Sequence, residues 1–200
     1  RYIDWTPYFA SLDLVGRYPM IPEDDVVGEA ARSLWKDTQG LLQQMIGEQW
    51  IQAKGVVGFW PANADGDDFV VWTDESRSTE RARFFTLRQQ MEKTNDKGQF
   101  ALSDFMAPKA ADYVGGFAVT AGHGELEKAK EFVDKGDDYS SIIVKALADR
   151  FAEAFAEYLH AQVRRELWGY AADEALTNDD LIAEKYQGIR PAPGYPSQPD

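Results

Sequence analysis

The sequence predicts an α+β fold, a central antiparallel sheet with long helices. Three observations carry this. Apolar residues recur at helical spacing from Asp24 to about Ala53 and again from Tyr139 to Tyr170. Between these stretches lie strand-like runs, GVVGFW, FVVWTD, ARFFTLRQ and DYVGGFAVTAG, bounded by turn-forming residues. Strands grouped in the middle, with helices towards both ends, give α+β rather than alternating βαβ.

Each element follows from local chemistry. Prolines at 7, 19 and 22 make residues 1–23 an irregular leading arm with short extended pieces. The first long helix carries Ala31, Leu34, Leu41 and Met45 on its apolar side, and Gly40 either kinks it or divides it in two. GVVGFW and FVVWTD read as an antiparallel pair joined by a longer loop, PANADGDD. Glycines weaken the strand DYVGGFAVTAG. A helix is expected over Gly124–Lys135, and Asp137 or Asp138 caps the one that follows. A last short helix starts after Thr177 and ends at Gly188.

Composition narrows the function. Two hundred residues, 44% hydrophobic and 13% aromatic, fit one domain or two small ones, and a single domain spanning 1–200 is expected. A net charge of −13 argues against nucleic acid and against anionic membranes as partners. No apolar run approaches 18 residues, and RYIDWTPYF has no apolar signal region, so a cytoplasmic location is expected. Cysteine is absent and only His123 and His160 are present, which excludes disulfides, thiolate chemistry and sulfur- or histidine-rich metal sites within the chain. Neither G-x-G-x-x-G after a strand nor a Walker motif occurs.

Two clusters mount charge on a stiff frame. In GIRPAPGYPSQPD, Gly188 can take the left-handed conformation that ends a helix, and Pro191 holds Arg190 extended. Prolines 191, 193 and 196 stiffen the segment towards polyproline geometry and leave carbonyls free to face a ligand. Tyr195 offers a stacking face. In DWTP, Pro7 restricts Thr6 and Trp5 anchors the arm, so Asp4 is held in place. Asp4 with Arg190 would suit a ligand bearing both ammonium and carboxylate. The bland readings are a proline segment that wraps a surface and an aspartate that caps a turn.

The long helix places Ile143, Leu147, Phe151, Ala154, Phe155 and Tyr158 on a core face. Its other side collects Asp149, Glu153, Glu157 and His160 among alanines, either as a solvated stripe or as a face open to a flat ligand, with Glu153 towards a cation. Carboxylates four apart are ordinary on helices, so a glycosidase pair is a weak signal.

DWTP, GVVGFWPAN, ADYVGGFAVT, VKALADRFAEAFAEYLH and YQGIRPAPGYP together resemble, in order along the chain, the activation domain of cobalamin-dependent methionine synthase. The resemblance implies a C-shaped α+β domain that binds S-adenosylmethionine. It implies cobalamin on a neighbouring module, and zinc only in a distant module of the full enzyme. It implies reductive methylation of cob(II)alamin to methylcobalamin, with flavodoxin or a flavoprotein reductase as electron donor. Asp4, Glu153 and Arg190 then resemble the family's ligand contacts, with backbone around Pro191 and Ala192 and the ring of Tyr195 beside them. Asp149, Glu157 and His160 would face the cobalamin-binding domain. No catalytic acid, base or nucleophile is expected, since a sulfonium already carries an activated leaving group. Family members continue past the proline segment, so residues 1–200 are expected to lack the C-terminal strands. An acidic flavodoxin would need a basic patch, for which Arg77, Arg81, Arg83, Arg88, Arg164 and Arg165 are candidates, unless these merely balance nearby acids. The alternative function is a non-catalytic module docking on a cobalamin domain or flavoprotein.

Overall fold

The structure, a computed structural model, describes residues 2–92 and 98–199. The chain divides into two units, Arg1–Val56 with Ala118–Gln187, and Val57–Phe117 with Gly188–Asp200. The sheet has four strands, β1 (Gln52–Asp65), β2 (Asp68–Trp72), β3 (Glu80–Phe84) and β4 (Tyr113–His123), in the order β3-β2-β1-β4, with β1/β2 and β2/β3 antiparallel.

The first unit is mainly helical. The leading arm is not irregular: Thr6–Ser11 forms helix α1, with Pro7 in its first turn, where the missing N–H would have no partner anyway. Trp5 packs edge-on against Trp35, ring centroids 4.8 Å apart. Tyr8 and Phe9 reach the core formed with Ile21, Ala31, Leu34 and Leu147. Helix α2 (Gly28–Gly47) runs through Gly40 without a break, because that position faces solvent and packs against nothing. It ends before Ala53, the expected end: Gln49 takes a φ of 53°, and β1 begins at Gln52. At Gly124, φ is 96° and an added Cβ would lie 2.3 Å from the Trp50 carbonyl oxygen, so only glycine fits ahead of helix α3 (Glu125–Asp134).

Helix α4 (Asp138–Gln162) is capped by Asp137, whose carboxylate accepts from the Ser140 N–H at 3.0 Å, and passes into a π turn, Val163–Leu167. Its core stripe is Ile143, Val144, Leu147 and Ala148. Tyr158, expected in the core, is 43% exposed. Strand β1 instead presses on Phe155 and Leu159, which an added Gly55 Cβ would meet at 3.0 and 3.2 Å. Helix α5 (Asn178–Ile182) begins with a Thr177–Asp180 capping box but stops short of Gly188, because Glu184 turns left-handed at φ 53°.

In the second unit the β1/β2 hairpin is tight. Asp65 pairs with Asp68, so only Gly66 (φ 65°) and Asp67 turn the chain, and PANAD is strand rather than loop. Asn63 explains this. Its amide donates to the Ala107 and Ala110 carbonyls, both at 2.8 Å, and its oxygen accepts from Trp72 Nε1 and Arg77 Nη1. The glycines of GVVGFW and YVGGFA make room for one indole: an added Cβ at Gly58 or Gly116 would stand 2.5 or 3.2 Å from the Trp60 ring. Strand β3 ends at Phe84, partway through ARFFTLRQ. Beyond it the backbone is held by other partners, Thr86 by its hydroxyl to the Asp67 carbonyl and Leu87 N–H to the Ser197 carbonyl.

Two glycine substitutions should therefore part in sign. Gly40→Ala is expected to stabilise by about 0.5–1 kcal/mol, since it reduces backbone entropy in an open helix position. Gly124→Ala, strained and clashing, should destabilise by about 2–4 kcal/mol. Urea denaturation of the two variants measures both.

Candidate functional site

Asp4 and Glu153 belong to the first unit, and Arg190, Pro191, Ala192 and Tyr195 to the second. Asp4 is half-buried, and its Oδ1 accepts from the Thr6 N–H at 2.9 Å. The turn-capping role is thus real, and it fixes the carboxylate. Thr6 is held in turn, its hydroxyl accepting from the Tyr18 N–H at 3.2 Å.

On α4, Asp149 and Glu153 are exposed and Glu157 is half-buried, one helical turn apart along the same side. Ala146 and Ala156 lie on the same side and keep that surface low.

His160 does not share this surface: it is 5% exposed. Its Nδ1 lies 2.7 Å from Arg164 Nη1, and since a guanidinium only donates, Nδ1 accepts and the ring proton sits on Nε2. A helical wheel cannot reveal this, because the cover comes from the chain after α4. Tyr186 meets the imidazole edge-on at 4.8 Å. The placement of His160 at a domain interface is accordingly corrected. Of the two readings of Arg164, a patch cation or a charge that balances a nearby acid, the structure supports the second. Arg164 is fully buried and pairs in a two-pronged fork with Glu174, at 2.7 and 2.6 Å.

In the second unit Gly188 has the expected left-handed φ, 92°, and Arg190 is half-buried. The proline frame is not a straight polyproline run. Gly194, at φ 89°, donates to the Gln198 carbonyl at 2.8 Å, and Gln198 donates to Tyr195 at 2.9 Å, so the segment closes on itself. Tyr195 is left 64% exposed, its ring available for stacking.

The other arginines mostly serve structure. Arg77 donates to the carbonyls of Ala62 and Asp112 and lies over the Tyr113 ring. Arg83 bridges Asp65 and Glu80. Arg88 forks to Asp67 and Asp104, and its hydrogen bonds, aided by the Ala101 N–H, bring the Asp104 carboxyl down to about 2. Arg81 and Arg165 remain exposed cations.

Among the described residues no group of three or more acidic or histidine side chains is arranged to hold a metal, and no helix is long and apolar enough to cross a membrane. An apolar cleft of about 350 Å³ in the first unit, lined in part by Met45, Ile51, Ala121 and Phe151, contains none of the candidate side chains.

The features assembled here are those of a module that holds and orients charge on rigid mounts. Comparison with known proteins identifies which. The model of the family described as vitamin B12 dependent methionine synthase, activation domain, matches residues 1–200, and the chain belongs to that family. Among solved structures it is similar to the crystal structure of a MetH reactivation domain bound to AdoHcy, with 52% identity and a TM-score of 0.92 over 99% of this chain. The chain spans 62% of that structure's length.

The Asp104 shift has a consequence for acid stability. A carboxyl whose folded value lies below its unfolded one contributes stability above the unfolded value, near 3.9, and loses it as pH falls towards about 2. Acid titration followed by circular dichroism should show Asp104→Asn already weakened at pH 6 and with a shallower loss between pH 4 and 2 than the parent chain.

Proposed function

We propose that the chain is the S-adenosylmethionine-binding activation module of a cobalamin-dependent methionine synthase, a methyltransferase of methionine biosynthesis acting in the cytoplasm. The module supports reductive methylation of cob(II)alamin to methylcobalamin. The observation that carries this is likeness, over nearly the whole chain, to a reactivation domain bound to AdoHcy, the species left when S-adenosylmethionine gives up its methyl group.

The chemistry of each candidate residue, taken by itself, suits such a ligand. The Arg190 fork takes the carboxylate, a geometry guanidinium matches well. Asp4, already fixed by its turn, and Glu153, on a low alanine surface, accept from the ammonium or the hydroxyls. Backbone carbonyls at Pro191 and Ala192 and the exposed ring of Tyr195 complete the contacts. Cobalamin, on a neighbouring module, supplies the methyl-accepting metal. This chain's part is to orient the donor, and no proton transfer within it is required. Asp149 and Glu157 face the cobalamin-binding domain. Flavodoxin or a flavoprotein reductase delivers the electron, with Arg81 and Arg165 as the exposed cations for an acidic partner.

Titration calorimetry of the chain with S-adenosylhomocysteine tests the reading. Arg190→Ala should weaken binding at least about tenfold, and Asp4→Asn and Glu153→Gln by similar factors. No heat, together with saturable binding to a cobalamin-binding domain, would instead favour a non-catalytic docking module.

The donor assignment has its own check. Arg81→Glu should weaken association with an acidic flavoprotein, more so at low ionic strength. An affinity equal to that of the parent chain removes Arg81 from the interface.

A further inference from the structure

The end of α4 buries a charge that the proposed ligand site does not use. Arg164 is fully buried, with its fork on Glu174 and its third nitrogen on His160. A buried ion pair seldom stabilises a fold more than well-packed apolar residues of similar volume, so stability alone explains it poorly. Geometry explains it better. The guanidinium lies 4.6 Å from the centroid of the Tyr186 ring, which is also met edge-on by His160. One residue on, the Gln187 carbonyl accepts from the Tyr170 hydroxyl at 3.3 Å. Next to Tyr170, Ala171 donates to the Arg164 carbonyl at 2.8 Å. These contacts immobilise the chain immediately before Gly188, whose left-handed φ sets the course of the next residues.

We infer that Arg164 is a positioning residue for Arg190: acting through Tyr186, the Arg164–Glu174 pair fixes the near end of the Gly188–Arg190 segment. Arg190 then needs little further ordering when it meets a carboxylate. The inference rests on the reading of Arg190 as a ligand contact.

The full chain and S-adenosylhomocysteine provide the test. Tyr186→Leu keeps an apolar side chain in the buried place but cannot stack under a guanidinium, and should weaken binding about tenfold. Tyr186→Phe should bind like the parent. Combined with Arg190→Ala, Tyr186→Leu should add no further loss, because its effect is exerted only through Arg190. The paired replacement Arg164→Met with Glu174→Met, chosen to keep the core filled, should reproduce the Tyr186→Leu loss in a chain that circular dichroism shows to be folded. Additive losses, or parent-like binding by both Tyr186→Leu and the paired replacement while Arg190→Ala is weakened, overturn the inference. If Arg190→Ala binds like the parent, the contact reading itself is at fault. A ligand-free readout separates the two: amide order parameters of Gly188–Arg190 should fall in Tyr186→Leu, and unchanged values overturn the positioning role whatever the affinities.

Discussion

Strand β1 carries the constraint on which both units rest, the close approach of neighbours that only small or fully bonded residues permit. Gly55 lets Phe155 and Leu159 of α4 lie against the strand, and Gly58 leaves space for the Trp60 ring. Asn63, 7% exposed, uses both ends of its amide on four partners. A buried amide left half-satisfied would destabilise by about 1–3 kcal/mol, so this residue is as exacting as the glycines. Around these positions the rest is ordinary packing: an aromatic and aliphatic core beneath α2 and α4 in one unit, and Ala62, Phe69 and Val71 in the other.

Elements with a strong period were legible in the sequence. Helices α3 and α4, the cap at Asp137 and strand β4 lie close to where apolar spacing and capping chemistry place them. What failed did so through tertiary contacts that no local pattern carries. PANAD has the composition of a loop, yet Asn63 binds it into a strand. Gly40 left a kinked helix or a divided one open, and the open surface there lets α2 continue as a single helix. Gln49 and Glu184, ordinary helix formers, end helical stretches by turning left-handed. Among the candidate site residues, Asp4 and Gly188 behave as their neighbours in sequence dictate, whereas His160 was placed by helical phase alone and lies under residues far along the chain.

The charges divide by burial into two kinds. Arg77, Arg83, Arg88 and Arg164 each meet several acceptors and hold segments together. Arg81, Arg165, Asp149 and Glu153 stay in solvent. An exposed pair of such charges is worth little to stability, at most about 1 kcal/mol, which leaves them open to the recognition role proposed above, where complementary charge sets partner choice and rate of encounter.

A binding site of the kind proposed would draw its strength from the mounts as much as from the contacts. A guanidinium on a free chain gives up side-chain and backbone entropy each time it grips a carboxylate, about 1–2 kcal/mol per residue for the backbone alone. Turn closure between Gly194 and Gln198 on one side of Arg190, and the bonded run ending at Gln187 on the other, remove much of that freedom in advance. Asp4 is treated likewise by the Thr6 N–H. Such an arrangement would suit the methyl transfer from a sulfonium proposed above. The leaving group is already activated, so the protein has no proton to move, and accuracy in holding the donor is what its residues can add.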